Sequence, residues 1–222
     1  MKNGKLIVID GMDGSGKTEQ TRLLIERMAR EGIAVEQISF PRYGKKSCGP
    51  VEEYLSGKWG SPEAVGPYRA SVFYAVDRWA AFREGDLSPL ELGVHMIANR
   101  YVASNKGHQG SKIADPAERL AFFQWNDELE HGVFGIPRPD LNVILHVPAE
   151  VSLKLLAKRG RPPDAHENLE HLKAAEATYL EIARTLQGFA LIECATPDGK
   201  DILPLEDIHE MVWSAVRPLL RA

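Results

Sequence analysis

Eight residues, Gly11 to Thr18, read Gly-Met-Asp-Gly-Ser-Gly-Lys-Thr and follow the apolar run Leu6-Ile7-Val8-Ile9 directly. A strand, then G-x-x-x-x-G-K-[ST], then a helix is the arrangement that cradles the phosphates of a nucleoside triphosphate. Gly11, Gly14 and Gly16 allow the backbone angles that turn N–H groups inward around phosphate oxygens. Met12, Asp13 and Ser15 complete the loop, Lys17 supplies a point charge for the outer phosphates, and Thr18 offers a hydroxyl to magnesium. The stretch Glu19 to Ile25 reads as a helix whose positive N-terminal end faces the anion. A glycine-rich turn without a ligand is the alternative, and the strand before and helix after argue against it.

Four further clusters carry polar groups suited to a second, smaller ligand. Phe40-Pro41-Arg42-Tyr43 ends an apolar run, and α/β proteins bind ligands at the carboxyl ends of strands. Arg42 can clamp a phosphate there, or be a surface residue of a turn. Asn99-Arg100-Tyr101-Val102-Ala103-Ser104-Asn105 ends another run. Arg100 is suited to neutralising a transferring phosphoryl group, and Asn105 has the paired donor and acceptor that read a base edge, unless Ser104 or Asn105 caps a helix instead. Tyr74 and Arg78 are four apart, so on a helix they meet on one face. They can form a stacking and edge-reading pair, or a solvated arginine lying over a tyrosine. Lys158-Arg159-Gly160-Arg161-Pro162-Pro163-Asp164 reads as a cationic flap or as a solvated helix end. The seven histidines show no metal-ligand spacing, and His166 and His171 diverge on a helix.

The elements that must position these groups recur along the chain. Buried-strand patterns at Leu6 to Ile9, Val35 to Phe40, Val94 to Ala98, Leu141 to Val147 and Phe189 to Glu193 alternate with longer helical segments. That alternation predicts an α/β fold with a parallel sheet covered by helices on both faces. In the helix after Ser61, the spacing of Val65, Tyr68, Val72, Val76, Trp79 and Phe82 predicts an apolar face against the sheet. With 222 residues, 44% hydrophobic and 26% charged, one domain over 1–222 is the expectation. A net charge of -4 implies no general attraction to nucleic acid or membrane. Cys48 and Cys194 are too few for a disulfide framework. The first strand begins by about residue 5, and no apolar run reaches the ~18 residues of a membrane span. A cytoplasmic protein is expected.

The motifs in this order and spacing resemble the thymidylate kinase family of nucleoside monophosphate kinases. The resemblance rests on Gly11 to Thr18, Phe40 to Tyr43, Tyr-Ala-Val-Asp-Arg at 74 to 78, Asn99 to Asn105, and the arginines at 159 and 161. It implies a phosphate-loop NTPase fold of three α/β/α layers on a five-stranded parallel sheet, with a short lid at about 158–166 and a homodimer. It implies transfer of the γ-phosphoryl group of ATP to dTMP with Mg2+. ATP would lie on residues 11–18. Tyr74 would stack on thymine, Arg78 and Asn105 would bind its edge, and Arg42 and Arg100 would hold the monophosphate beside Pro41 and Tyr43. Asp13 would contact the sugar 3′-hydroxyl and, with Thr18, help place magnesium, in part through water. Part of the family carries a basic residue where this chain has Gly14, so the resemblance implies that the catalytic arginine comes from the lid.

Two positions depart from the family pattern. Asn99 stands where an aspartate is usual, which removes a charge near the metal and motivates an alternative reading as a degenerate nucleotide-binding protein. His108 stands where a tyrosine near the sugar is common. Another pyrimidine monophosphate, dUMP or UMP, is the nearest alternative substrate, because one methyl group contributes only ~1 to 3 kcal/mol in an apolar pocket. A guanine-reading N-K-x-D string is absent.

Arginine fingers contribute roughly 10³ to 10⁵ in rate in related phosphate-loop chemistry. The double variant Arg159→Ala, Arg161→Ala is therefore expected to lose at least about a hundred-fold in kcat, measured as coupled ADP release. Near-normal kcat would remove the lid from the mechanism.

Overall fold

The computed structural model describes residues 4–158 and 168–220. Five strands, β1 (Leu6–Gly11), β2 (Val35–Ser39), β3 (His95–Asn99), β4 (Leu141–His146) and β5 (Phe189–Glu193), form one sheet in the order β2-β3-β1-β4-β5, all pairs parallel. Successive residues of β1 face opposite sides. Ile7 and Ile9 join Leu24, Met28, Val143, Val212 and Trp213 in one core, while Leu6 and Val8 join Ile38, Phe40, Ala98 and Tyr101 in another. Both faces are buried, so β1 is an uninterrupted apolar run, as parallel strands require.

The first core is covered by α1 (Lys17–Arg30) and by α9 (Leu205–Leu220). Two short helices, α2 (Gly49–Leu55) and α3 (Pro62–Val65), lead into α4 (Pro67–Glu84), which packs beside α5 (Val102–Gly110) over the second core. A third apolar cluster joins α6 (Pro116–Asp127), α7 (Ala149–Ala157) and α8 (Leu169–Thr185) through Phe122, Phe123, Leu156, Leu172 and Tyr179. The last turn of α6 widens into a π-helix over Glu128–Val133. Among the described residues no helix is long and apolar enough to cross a membrane. Cys48 and Cys194 are buried free thiols, each pushed up to about 12 by burial.

The inward face of α4 differs in part from the expected one: Phe82 packs on the second core as expected, while Tyr68 and Trp79 do not turn inward. Val65 belongs to α3, separated from α4 by Gly66 at φ 79°, and Tyr68 and Trp79 are 43% and 41% exposed. The inward face is Ala70, Ser71, Ala75, Asp77, Arg78 and Ala81. Small residues let α4 approach its neighbours closely, and the two buried charges are both paired: Asp77 with Arg42, and Arg78 with Glu130. Apolar periodicity equates bulk with the interior. Here much of the interior space facing α4 is taken by ion pairs, and Tyr68 and Trp79 are left exposed.

On α9, His209 is buried with neither ring nitrogen hydrogen-bonded among the described residues. Burial pushes its pKa below the ordinary 6.5, with Arg27 and Arg30 adding to the fall and Glu210 opposing it. The unfolded chain therefore takes up this proton first as pH falls through about 6.5, and stability is lost on the acid side. Between pH 7.5 and 5.5, the midpoint of thermal unfolding is expected to fall less for His209→Leu than for the parent. Equal falls would show that His209 contributes nothing to the pH dependence.

Candidate active site

The carboxyl ends of β1, β3 and β4 lie side by side, with Ile9 opposite Asn99 and Gly11 opposite Leu145. The phosphate loop springs from this edge. At φ 138°, Gly11 sits where a Cβ would stand 2.5 Å from the Leu145 carbonyl, so only glycine fits. Gly14, at φ 84°, lies against α7, where a Cβ would be 2.9 Å from both the carbonyl and the hydroxyl of Ser152. The Ser152 hydroxyl donates to the Asp13 carbonyl and ties the loop to α7. Gly16 is the N-cap of α1, and the Lys17 ammonium folds back over the loop to donate to the carbonyls of Met12 (2.6 Å) and Gly11 (3.1 Å).

Beneath the loop sits Asp10, fully buried, which the motif reading passed over. It accepts from the Gly11 N–H at 2.8 Å, from the Ser104 hydroxyl at 2.8 Å and from the Tyr179 hydroxyl at 2.8 Å. One carboxylate therefore joins β1, α5 and α8. Ser104 is thus an internal donor, and the helix cap considered for it is not present, since the N-cap of α5 is Tyr101.

Arg100 adopts φ 66°, a left-handed conformation that is uncommon for a bulky residue and marks a functional position. Its backbone N–H donates to the Ile9 carbonyl, and its guanidinium turns over the loop to pair with the Asp13 carboxylate. Another N–H lies 3.1 Å from His108 Nε2, which makes that nitrogen an acceptor. His108 in turn stacks on His171 of α8 at 5.8 Å and meets the Tyr179 ring edge-on. Burial works against the Arg100 charge, but Asp13, Tyr179 and Asp10 hold its pKa above the ordinary arginine value.

A cleft of about 350 Å³ opens between this edge and α4. It is lined by Asp13, Gly16, Lys17 and Thr18 of the phosphate loop and α1, Asn99 and Arg100 after β3, Tyr74 and Arg78 of α4, Asn105, His108 and Gln109 of α5, and Phe40, Pro41 and Tyr43. Tyr74 packs edge-on against Tyr54 at 6.4 Å, presenting an aromatic face beside the Arg78 and Asn105 side chains.

The polar floor is oriented by buried partners. Arg78 is 2% exposed and forms a bidentate pair with Glu130, Nε to Oε2 at 2.5 Å and Nη2 to Oε1 at 2.6 Å, with Nη1 at 3.3 Å from the Tyr101 carbonyl. Three of its five N–H donors are thereby used, leaving one on each terminal nitrogen. The Asn105 Nδ2 is surrounded by three acceptors: the Ser71 carbonyl (3.1 Å), Asn126 Oδ1 (3.2 Å) and Glu130 Oε1 (3.2 Å). This sets the amide with Oδ1 as its remaining acceptor. The floor offers an N–H donor beside a carbonyl acceptor, the complement of a keto oxygen beside an imide N–H. Thymine and uracil present that edge, and cytosine presents the opposite at both atoms.

One expected ligand is placed elsewhere. The Arg42 side chain does not line the cleft; it is buried, donating to Asp77 (3.2 Å), Glu84 (2.8 Å), Asp86 (2.7 Å) and Ser47 (2.9 Å). Two of its carboxylate partners, Glu84 and Asp86, lie at and just beyond the end of α4, so Arg42 acts as a structural anchor between the loop after β2 and that helix. Its sequence neighbours Pro41 and Tyr43 do face the cleft. Arg159 and Arg161 lie outside the described residues. The turn at Ala195-Thr196-Pro197 is closed by bonds between Thr196 and Asp201.

The oxygen set near the loop fits magnesium, which takes few protein ligands and keeps phosphate oxygens and water. Thr18 and Asn99 line the cleft, Asp13 lies beside them, and Asn99 Oδ1 is buried with no hydrogen-bond partner among the described residues.

These features are matched by known proteins. A family model described as thymidylate kinase matches residues 9–203. A thymidylate kinase of Mycobacterium tuberculosis is 31% identical over 188 residues, covering 80% of this chain and 85% of that one. A probable thymidylate kinase of Archaeoglobus fulgidus is 26% identical over 218 residues, covering 97% and 96%. A solved structure of thymidylate kinase from Candida albicans superposes with a TM-score of 0.76 at 19% identity, covering 97% of this chain and 92% of that one, and so shares the fold. A phosphate loop facing a cleft whose floor complements a keto pyrimidine agrees with the match over residues 9–203: the chain belongs to the thymidylate kinase family, the nucleoside monophosphate kinases that transfer the γ-phosphoryl group of ATP to dTMP.

Proposed function

We propose that dTMP lies with thymine against Tyr74, its O4 and N3–H on Arg78 and Asn105, and its phosphate toward Arg100. The observation that carries this is the oriented pair in the cleft lining: a donor and an acceptor, both held by the buried Glu130, in the same cleft as the phosphate loop. ATP then places its phosphates on residues 11–18, with Lys17 and the N-terminus of α1 drawing charge from them. An oxygen of the dTMP phosphate attacks the γ-phosphorus. That P–O bond forms as the bond to the β-phosphate oxygen breaks, and ADP leaves with the electron pair. The acceptor is already ionised at neutral pH, so catalysis is positioning and charge neutralisation, and no general base is needed.

Thr18 and Asn99 Oδ1 would hold Mg2+, with Asp13 acting through water. The ion supplies charge neutralisation at the phosphate oxygens. Asp13 and His108 face the sugar, and Pro41 and Tyr43 close the acceptor side. We assign the transition-state arginine to Arg159 or Arg161, because a side chain longer than hydrogen at Gly14 meets α7. The outward aromatics of α4 extend into one surface: Tyr68 packs on Trp125 at 4.7 Å and Trp79 on Phe134 at 6.0 Å, with Leu120 and Val133 exposed beside them. A second copy of the chain would cover this surface in a homodimer. Two buried thiols suit the reducing cytoplasm.

Coupled ADP release with dTMP, dUMP, UMP and dCMP as acceptors tests the assignment while magnesium is titrated. The expected order has dTMP first, dUMP lower by about 10- to 200-fold from the missing methyl, and dCMP lowest. Equal kcat/KM for dTMP and dCMP would overturn the base assignment, and tight dTMP binding without magnesium-dependent turnover would favour a degenerate binding protein. Gly14→Ala, which pushes the loop from α7, is expected to raise the ATP KM at least about tenfold with the dTMP KM little changed. An unaltered ATP KM would show that the loop tolerates the displacement.

A further inference from the structure

Glu130 lies behind the cleft wall, fully buried, on the π-helical turn that follows α6. It does not line the cleft, yet its two oxygens accept from both Arg78 and Asn105, which do. Oε2 accepts from Arg78 Nε, and Oε1 accepts from Arg78 Nη2, Asn105 Nδ2 and Asn126 Nδ2. The π-helical widening sits in the same turn, a device often found at functional sites. Neither Arg78 nor Asn105 could choose its orientation alone. An arginine on a flexible stem can present any of its donors, and an amide can present either end. A carboxylate only accepts, so at this point it forces N–H groups inward from both partners and leaves the opposite polarity of Asn105 to the cleft.

From this geometry we infer that Glu130 is the positioning residue for base selection: it fixes which N–H groups of Arg78, a donor in any orientation, are left for the cleft and helps turn the Asn105 amide with its oxygen outward, and so makes the pocket choose a keto pyrimidine over an amino pyrimidine. The inference rests on the reading of the cleft as the dTMP site. Glu130 does not itself touch the base. Its contribution is to the polarity of the floor, and it acts through two side chains separated from it by 52 and 25 residues in the chain.

Replacing Glu130 by glutamine keeps the shape and removes the acceptor-only character. The glutamine amide can donate where the carboxylate accepted, so Asn105 Nδ2 loses one of its three acceptors and its orientation rests on the Ser71 carbonyl and Asn126 Oδ1 alone. Asn126→Ala makes a milder change in the same direction, because Asn126 Oδ1 is another of the acceptors around Asn105 Nδ2 and the Arg78 to Glu130 pair is left intact. For each protein the measurements are kcat and KM for dTMP and dCMP, the KM for ATP, and a thermal melt to establish folding.

For Glu130→Gln, the dTMP KM is expected to rise at least tenfold and the preference for dTMP over dCMP to fall at least tenfold, with kcat and the ATP KM within about threefold of the parent. Asn126→Ala is expected to lose at least threefold of the preference. Glu130→Asp keeps the charge and is expected to retain more of the preference than Glu130→Gln, a rescue that a purely space-filling role would not produce. A folded Glu130→Gln enzyme with its preference intact would overturn the inference. Should that variant fail to fold, an unchanged preference in Asn126→Ala would overturn it in its place. A parent enzyme with no dTMP preference would overturn the reading of the cleft instead, so the two failures are separable.

Discussion

The carboxylate of Asp10 is the constraint on which the catalytic edge depends. β1 is buried on both faces and hydrogen-bonded on both sides, so its last side chain must be satisfied inside the protein. Gly11, Ser104 and Tyr179 supply the donors, one each from the loop, α5 and α8. Each element that shapes the triphosphate end of the cleft is thereby registered to one point at the end of the central strand. Arg100 follows β3 directly in a left-handed conformation at φ 66°. Its N–H completes the pairing of β3 with β1, and only a reversal of the chain immediately afterwards sends the guanidinium over the loop rather than away from it.

Buried charge is used in two different ways around α4. At Arg42 three carboxylates consume the guanidinium and fasten the loop after β2 to the end of the helix. At Arg78 a single bidentate carboxylate consumes only part of it and leaves donors for a ligand. Burial by itself opposes both charges, and the carboxylates more than offset it, so both arginines keep their charge. The difference between the two arginines is therefore the number and geometry of partners, with residue type and burial nearly the same. With both pairs on the inner face of α4, Tyr68 and Trp79 are left exposed, where a hydrophobic pattern would not put them, while Phe82 still packs on the core.

Much of the site was legible before any fold was known. The phosphate loop is a local device: its glycines, lysine and threonine act through backbone angles and side chains within eight residues, and its position after an apolar run fixes its place at a strand end. Tyr74 and Arg78 were legible as a pair because helical spacing is also local. The ion pairs of Arg42 were not legible, since a turn arginine at a strand end looks the same whether it meets a phosphate or three carboxylates from 35 to 44 residues further on. Glu130 and Asp10 went unremarked. One signal for Asp10 was present, a charged residue closing an otherwise apolar strand. For Glu130 there was none, as a glutamate in a polar helical stretch is ordinarily solvated.

What the chain determined through its sequence was the chemistry: a triphosphate cradle, an aromatic and basic acceptor site, and the α/β alternation that brings strand ends together. These depend on neighbours within a few residues, and short-range patterns carry them. The tertiary structure alone decided polarity and direction: which arginine reaches the cleft, which end of the Asn105 amide faces the ligand, and which face of α4 is inside. Those choices rest on contacts between residues dozens of positions apart, where a buried carboxylate must find its donors, and no local pattern records which partners it finds.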